Sequence, residues 1–418
     1  MSKPLGRFIS FCLLAAVAFS RALTAQTAPA PAASATAPAK ATPKDDPELQ
    51  HALDFYRAGK FVDAMPLLEE LAAEHPSDGA IKASWAFTVM AYAATLADPE
   101  LRAKARVRAR NIALQAKELG STDGLLPVVL DLPADGSQPP FSDRTEVDAV
   151  MKAAEADFVR GDFDKAREGY VHALLLDPKN YEAALFVGDV YFKQHVNGSA
   201  GEWFARAVEI DPNRETAYRY WGDALWDMGK GAEAREKYIQ AIIADPYSQR
   251  SWVGMTRWTD RTKLTLNWVR LQDKSAVTQK DEKNINITLD SSLGKDDPNG
   301  TAWLTYSLGR ASWQGDKFKK EFPNEPRYRR TMREESDSLH LMVTVLLEQK
   351  NFNKKKNKLD PSLLQLVQID HAGFMEPFAL LNRADTEIAQ DYMPYRAAHR
   401  DLLYRYFDEF VVPKAPAQ

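Results

Sequence analysis

The sequence predicts a mainly α fold: an α-solenoid of stacked helix hairpins with an additional, mostly helical C-terminal domain. Three observations lead there. Positions recur at a step of 34 residues, among them Pro178, Pro212 and Pro246; Asp177, Asp211 and Asp245; Ala166, Ala200 and Ala234; Ala173, Ala207 and Ala241; and Tyr170, Phe204 and Tyr238. Within a unit, Ala166, Tyr170 and Ala173 are spaced four and then three residues apart, which places them on one helical face. The chain has 418 residues, 45% of them hydrophobic and 27% charged. That composition excludes a wholly disordered protein, and the length suggests more than one folded unit.

The elements follow in chain order. Lys3 and Arg7 precede a nearly apolar run from Phe8 to Ser20, and Leu23-Thr24-Ala25 offers a small residue before Gln26. Residues 1–25 thus read as a secretory signal peptide, its apolar run of about a dozen residues being too short for a membrane span. No later segment reaches the roughly 18 apolar residues that a span needs. Removing 1–25 deletes three cations and the single cysteine, Cys12, taking the net charge from −4 to −7. The expected mature protein is exported, periplasmic or extracellular and bacterial, and has no thiol for a disulfide. Residues 26–46 are rich in Ala, Pro and Thr and lack aromatics, so they read as a disordered tether.

Residues 47–120 fit N-terminal hairpins. Ala52, Phe55, Gly59, Ala64, Leu68, Leu71 and Pro76 form one, and helices around 81–96 and 99–119 form an irregular second. Residues 121–145 hold Gly124, Pro127, Pro133, Gly136, Pro139 and Pro140 and read as a linker loop. Residues 146–260 hold three regular units and a capping helix carrying Trp252, Met255 and Trp258. Small residues at Gly222 on the first helix and at Ala234 and Ala241 on the second let the two backbones approach, while Tyr238 fills the space between units. Gly161 and Gly229 sit where the hairpins turn. In the middle unit that place is His195, and Asn197-Gly198 is expected to make the turn. Asp177, Asp211 and Asp245, each before a proline, are expected to end the second helices.

Tyr218, Trp221, Gly222, Leu225, Ala234, Tyr238, Ala241 and Pro246, with Ala184, Val187, Gly188, Tyr191, Ala200, Phe204, Ala207 and Pro212 one unit earlier, resemble the tetratricopeptide repeat family. The resemblance covers roughly half of the mature chain. It implies a concave surface built by the first helices that holds an extended peptide or a partner helix. Transferring the inward positions gives Glu155, Asp189 and Asp223 as one ladder and Met151, Leu185 and Arg219 as another; Phe158, Phe192 and Trp226 with Val159, Lys193 and Asp227 complete the groove. Three carboxylates in register favour a basic or neutral partner over an acidic one. The Lys and Asn set with which some members clamp a C-terminal carboxylate is absent. The alternative for these acids is a solvated helix face.

Residues 261–418 resemble no family. Alternation at 264–269 and 285–289 suggests two short strands joined by a charged connection from Gln272 to Lys283. Helical patterns resume at 301–313, 328–349, 361–369 and 387–411. Glu334, Glu335 and His340, or Glu387, Asp391 and His399, lack the i, i+3 or i, i+4 spacing by which two ligands meet one metal. Neither Gly-x-Ser-x-Gly nor a phosphate loop occurs. No catalytic residue, cofactor or metal is therefore expected. The basic stretch Lys317, Lys319, Lys320, Arg327, Arg329, Arg330 and Arg333 is diluted by Glu321, Glu325, Glu334 and Glu335, and no nucleic-acid partner is expected. The functional expectation is a non-enzymatic scaffold binding a peptide or protein. An enzyme or enzyme-associated subunit with its site in the C-terminal domain, and a structural cell-envelope assembly factor, are the alternatives.

Overall fold

The computed structural model describes residues 47–57, 61–96, 98–121, 123, 126–137, 140–279, 285–293, 297–348 and 359–414. The expected signal peptide and tether, residues 1–46, lie outside them, as does Gly59. The protein is mostly helical and divides into two compact units, Met1–Gly229 and Lys230–Gln418. Among the described residues no helix is long and apolar enough to cross a membrane.

The first unit begins with α1 (Pro47–Arg57) and α2 (Phe61–Glu74), which pair around Ala52, Ala64, Leu68 and Leu71. Helices α3 (Gly79–Thr95) and α4 (Pro99–Glu118) pack along each other, each started by an aspartate whose carboxylate accepts two free backbone N–H groups: Asp78 from Ala80 and Ile81, Asp98 from Glu100 and Leu101. The expected linker is not all loop. Helix α5 (Leu126–Leu130) forms within it and buries Leu126 and Val129, with Leu132, against the core of α3 and α4. Its Pro127 sits in the first turn, where a missing N–H costs nothing.

The regular hairpins follow as α6 (Thr145–Arg160) with α7 (Phe163–Leu176), and α8 (Tyr181–Lys193) with α9 (Asn197–Ile210); α10 (Glu215–Asp227) closes the unit. Their core contains Met151, Ala154, Ala166, Tyr170, Leu185, Phe186, Ala200 and Phe204. Small residues set the helix spacing. A Cβ added to Gly188 would lie 2.5 Å from the Phe204 ring, and one on Gly169 would lie 2.7 Å from the Ala154 Cβ. The second helices α7 and α9 end at Asp177 and Asp211, whose N–H groups donate to the carbonyls of Ala173 and Ala207.

One turn departs from expectation. Asn197 and Gly198 do not make the second turn but open α9. His195 itself adopts the left-handed conformation, φ 60°, as Gly161 does at φ 84° and Gly229 at φ 76°. Its backbone repeats the pattern of Gly161: Val196 N–H donates to the Tyr191 carbonyl, as Asp162 N–H does to that of Asp157. Schellman closure over these bonds tolerates a side chain at a cost of about 1–2 kcal/mol.

The second unit opens with α11 (Gly231–Ala244) and α12 (Gln249–Thr262), packed so that Tyr238 lies against Gly254 and the Trp258 Nε1 donates to the Gly231 carbonyl at 3.0 Å. The expected strand at 264–269 alternates in burial but, among the described residues, pairs with no strand. Asn267 N–H donates to the Val411 carbonyl, and the Val269 carbonyl accepts from Asn382. The two-stranded sheet is β1 (Ser275–Gln279) against β2 (Ile285–Leu289), antiparallel with Val277 opposite Ile287. Strand β1 falls inside the expected charged connection; its polar Ser-Ala-Val-Thr-Gln sequence carries no clear alternation. Then come α13 (Pro298–Ser312), a π-helical turn Trp313–Lys317, α14 (Phe318–Glu321), α15 (Met332–Glu348) and α16 (Pro361–His371). Helix α17 (Met375–Asn382), absent from the sequence reading, is followed by a short 3-10 turn Ile388–Asp391, α18 (Tyr392–Tyr406), broken in backbone geometry at His399, and a π-helical turn Phe407–Val411.

Ala200 is fully buried and Lys230 is exposed. Ala200→Leu is expected to overpack the hairpin and lower unfolding free energy by about 1–3 kcal/mol, against less than about 0.5 for Lys230→Leu, as measured by urea denaturation.

Candidate functional site

The predicted binding face belongs to the first helices α6, α8 and α10. Its middle is closed. Every residue from Tyr181 to Val190 is buried, so Leu185 and Asp189 do not line an open surface; Asp189 is 5% exposed. Met151 is fully buried as well, and Phe158 nearly so. Glu155 is half-buried and accepts a 2.7 Å hydrogen bond from the Tyr170 hydroxyl of α7. Burial pushes its carboxyl up to about 7, the tyrosine bond only partly offsetting it. Near neutral pH the ladder therefore carries less negative charge than three free carboxylates would.

At α10 the face is half-open. The Arg219 Nε donates to Glu215 at 3.1 Å, and its guanidinium lies 4.5 Å from the centre of the Tyr220 ring. Burial disfavours the Arg219 charge, but Glu215, Tyr220 and Asp223 outweigh it and raise the group above its ordinary value. Asp223 thus faces a cation of its own helix. At the C-terminal ends of α8 and α10, Phe192, Lys193 and Trp226 are half-buried and Asp227 is exposed. The sequence-predicted set separates accordingly: Asp189 is sealed, Glu155 is tied to Tyr170, Arg219 is paired within α10, and Lys193, Trp226 and Asp227 form an accessible edge.

A clamp between neighbouring first helices escaped the sequence reading. Tyr181, at the start of α8, accepts through its hydroxyl the Ala217 N–H of α10 at 3.0 Å. The Arg214 guanidinium lies over the Tyr181 ring at 3.7 Å and donates to Glu182 at 2.7 Å. No spacing announces it, because the repeat is read from small and aromatic packing positions and this clamp recurs at neither.

The second unit holds a denser polar cluster. Glu334 and Glu335, consecutive on α15, are both fully buried. Glu335 accepts from Arg383 at 2.8 Å, from the Tyr306 hydroxyl at 2.8 Å, and from Arg330. Glu334 accepts from Arg310 at 3.0 Å and from the Tyr328 hydroxyl at 2.8 Å. Burial opposes the Glu335 charge, yet Arg383 and Arg330 outweigh it and hold the carboxyl at about 2; for Glu334 burial wins over Arg310 and Tyr328 and raises it. Arg329 pairs with Asp391 at 2.7 Å and Glu325 at 2.9 Å, Arg330 also with Asp385 at 2.9 Å, Arg333 with Glu321 at 2.9 Å, and Lys317 with Asp337 at 2.6 Å. Most of the basic stretch thereby meets acids of its own unit. His340 bonds Asp370 at 2.7 Å instead of joining the glutamates, and among the described residues no group of His, Cys, Asp and Glu is arranged to hold a metal.

Two predictions follow from these carboxyls. Glu155 takes up its proton more readily folded than unfolded, so its contribution to stability falls as pH rises from about 4.5 to about 7. Urea midpoints of Glu155→Gln and the parent, compared at pH 5 and pH 8, should shift in favour of the variant at the higher pH. Glu335, depressed, stabilises above its unfolded value, and that stability is lost as pH falls towards 2. Glu335→Gln should cost about 3–5 kcal/mol at pH 7 by removing the fully buried charge on which the half-buried Arg330 and Arg383 converge. Arg405→Gln, which breaks an exposed pair with Glu409, should cost less than about 1 kcal/mol in the same assay.

Residues 151–215 match the tetratricopeptide repeat family. No curated protein matches the chain. Solved structures with similarity include pilF of Pseudomonas aeruginosa, 15% identical over 52% of this chain and 83% of that one, TM-score 0.25. The TPR2AB domain of yeast Sti1, solved with pHSP90, is 16% identical over 51% and 95%, TM-score 0.26. The P58(IPK) TPR domain is 11% identical over 86% and 96%, TM-score 0.26. At these scores the structural likenesses carry no argument about this chain.

Proposed function

We propose that the tetratricopeptide repeats of this chain make it a non-enzymatic scaffold, gripping a peptide or partner protein at the accessible edge of α8 and α10. The observation that carries the reading is the grouping of Phe192, Lys193, Trp226 and Asp227 at equivalent places of successive first helices, beside a face sealed from Tyr181 to Val190. Two aromatics flanked by one charge of each sign offer apolar anchoring with limited charge preference. A neutral or weakly basic segment suits such an edge better than an acidic one, since Asp227 is its most exposed charge. The non-enzymatic part of the reading is supported by Glu334 and Glu335, whose carboxylates are engaged by arginines and tyrosines of their own unit. Export belongs to the proposal on the strength of residues 1–25 of the sequence.

The test is binding of an immobilised panel of neutral, basic and acidic peptides to the full chain and to Trp226→Ala and Asp227→Lys. Trp226→Ala should weaken the best binders about tenfold or more with helical content unchanged. Asp227→Lys should shift preference away from basic peptides. Binding that ignores both substitutions would remove the edge from the function.

A further inference from the structure

A recess of about 240 Å³ opens in the second unit where the end of α14 and the start of α15 meet α18. Phe322 and Met332 wall it together with Pro394, Tyr395, Ala398 and His399 of α18. Those four α18 residues fall on one side of the helix, at i, i+1, i+4 and i+5. Tyr395 is 7% exposed and carries the His399 ring at 4.6 Å between centroids, which gives the recess an aromatic floor. Pro394 and Ala398, one turn apart and both exposed, are too short to close it. The apolar surface continues past the rim: Met393 is 68% exposed, and Ala397, one turn on, is exposed as well.

The charges beside the recess do not balance. The segment 318–333 carries two carboxylates, Glu321 and Glu325, which meet Arg333 at 2.9 Å and Arg329 at 2.9 Å. Asp391, also on the recess, is taken by the same Arg329 at 2.7 Å and by the Met332 N–H at 2.8 Å. Lys319, Lys320 and Arg327 are exposed and meet no carboxylate among the described residues.

Phe322 sets the place of these cations. Lys319 and Lys320 precede it on α14, and the chain turns directly after it, the Glu325 N–H donating to the Phe322 carbonyl at 3.1 Å. Arg329 lies 5.7 Å from the centre of the Phe322 ring and ties this turn to α18 through Asp391. A cationic surplus thus flanks one wall of an apolar recess.

We propose that this recess is a docking site for an acidic peptide carrying one large apolar side chain, the side chain seating against Phe322, Tyr395 and His399 and the peptide's carboxylates meeting Lys319, Lys320 and Arg327. Two features select that occupant. The cationic surplus favours an acidic partner, the reverse of the edge at α8 and α10, so the ligand differs from the one proposed there. The recess has about the bulk of one aromatic side chain, yet its apolar surface runs on over Met393 and Ala397, which suits a chain lying along α18 better than a small carboxylate.

The test is fluorescence anisotropy of labelled peptides on the full chain. The probe is a Glu- and Ser-rich peptide with one central Phe; its counterparts carry Ser for that Phe or Lys for every Glu, and 3-phenylpropionate is the small competitor. The probe should bind about tenfold or more tightly than either counterpart and weaken as salt is raised. Ala398→Trp, which fills the recess, and Lys320→Glu combined with Arg327→Glu, which reverses its flank, should each lower affinity about tenfold or more with helical content unchanged. Trp226→Ala, on the repeat edge, should leave it unaltered. No binding, or equal binding of the Lys counterpart, would overturn the proposal. So would charge reversal acting while Ala398→Trp does not, since the acid would then be held outside the recess. Competition by 3-phenylpropionate at concentrations matching the peptide would overturn the peptide as occupant, and loss of binding with Trp226→Ala alone would overturn the site by placing the peptide on the repeat edge.

Discussion

The repeats depend on backbone-close helix packing at positions where only hydrogen or a methyl group stands between a helix and the neighbouring side chain. Phe204 rests on Gly188, Tyr238 on Gly254, and Gly169 on the methyl of Ala154. Such contacts leave no room for adjustment, because protein interiors are packed as densely as organic crystals. The aromatic that fills each gap then determines what the rest of the hairpin can do. It sets the reach of Tyr170 to Glu155, and hence the character of a carboxyl on the predicted binding face.

The two units solve the problem of internal polarity differently. In the hairpins, polar groups inside the packing are few and occur as single bonds or small clamps such as Tyr181 with Arg214. In the C-terminal unit, arginines from α13, from the approach to α15 and from the segment after α17 converge on two adjacent glutamates. Removing charges from water is costly unless hydrogen bonds and counter-charges surround them. The geometry supplies both, and it ties together segments distant in sequence through directional contacts that an apolar core would not specify. The same pairing engages Lys317, Arg329, Arg330 and Arg333 of the basic stretch, while Lys319, Lys320 and Arg327 stay exposed.

The hairpins were legible because their signal is redundant: five registers at one spacing, each with a packing reason. The end of each second helix was equally readable, since an aspartate before proline cannot continue a helix. What escaped had no period. His195 takes a glycine's conformation because the closing bonds of the turn hold it there, and nothing local marks a histidine for that role. The run 264–269 showed the alternation of extended chain, but alternation does not say what the chain will bond to; its partners are Asn382 and the chain's last turn. From sequence, Lys193, Trp226 and Asp227 belong to one groove with Leu185 and Asp189; the closure of the face at Leu185 and Asp189 was not legible, because burial of a first helix depends on what packs around it. The arginine–glutamate cluster is assembled from three separated segments, so spacing on α15 alone could not reveal it.

The bond from Ala217 to Tyr181 has a geometric consequence. An amide in the first turn of a helix has no acceptor inside that helix, and here it finds one in a phenol anchored on the preceding repeat. The separation of these two helix starts is therefore ruled by the length of a rigid aromatic ring with its oxygen, under an arginine plane that keeps the ring from swinging. Neighbouring repeats are spaced at this point by a molecular gauge, which holds the starts of α8 and α10 at a fixed interval.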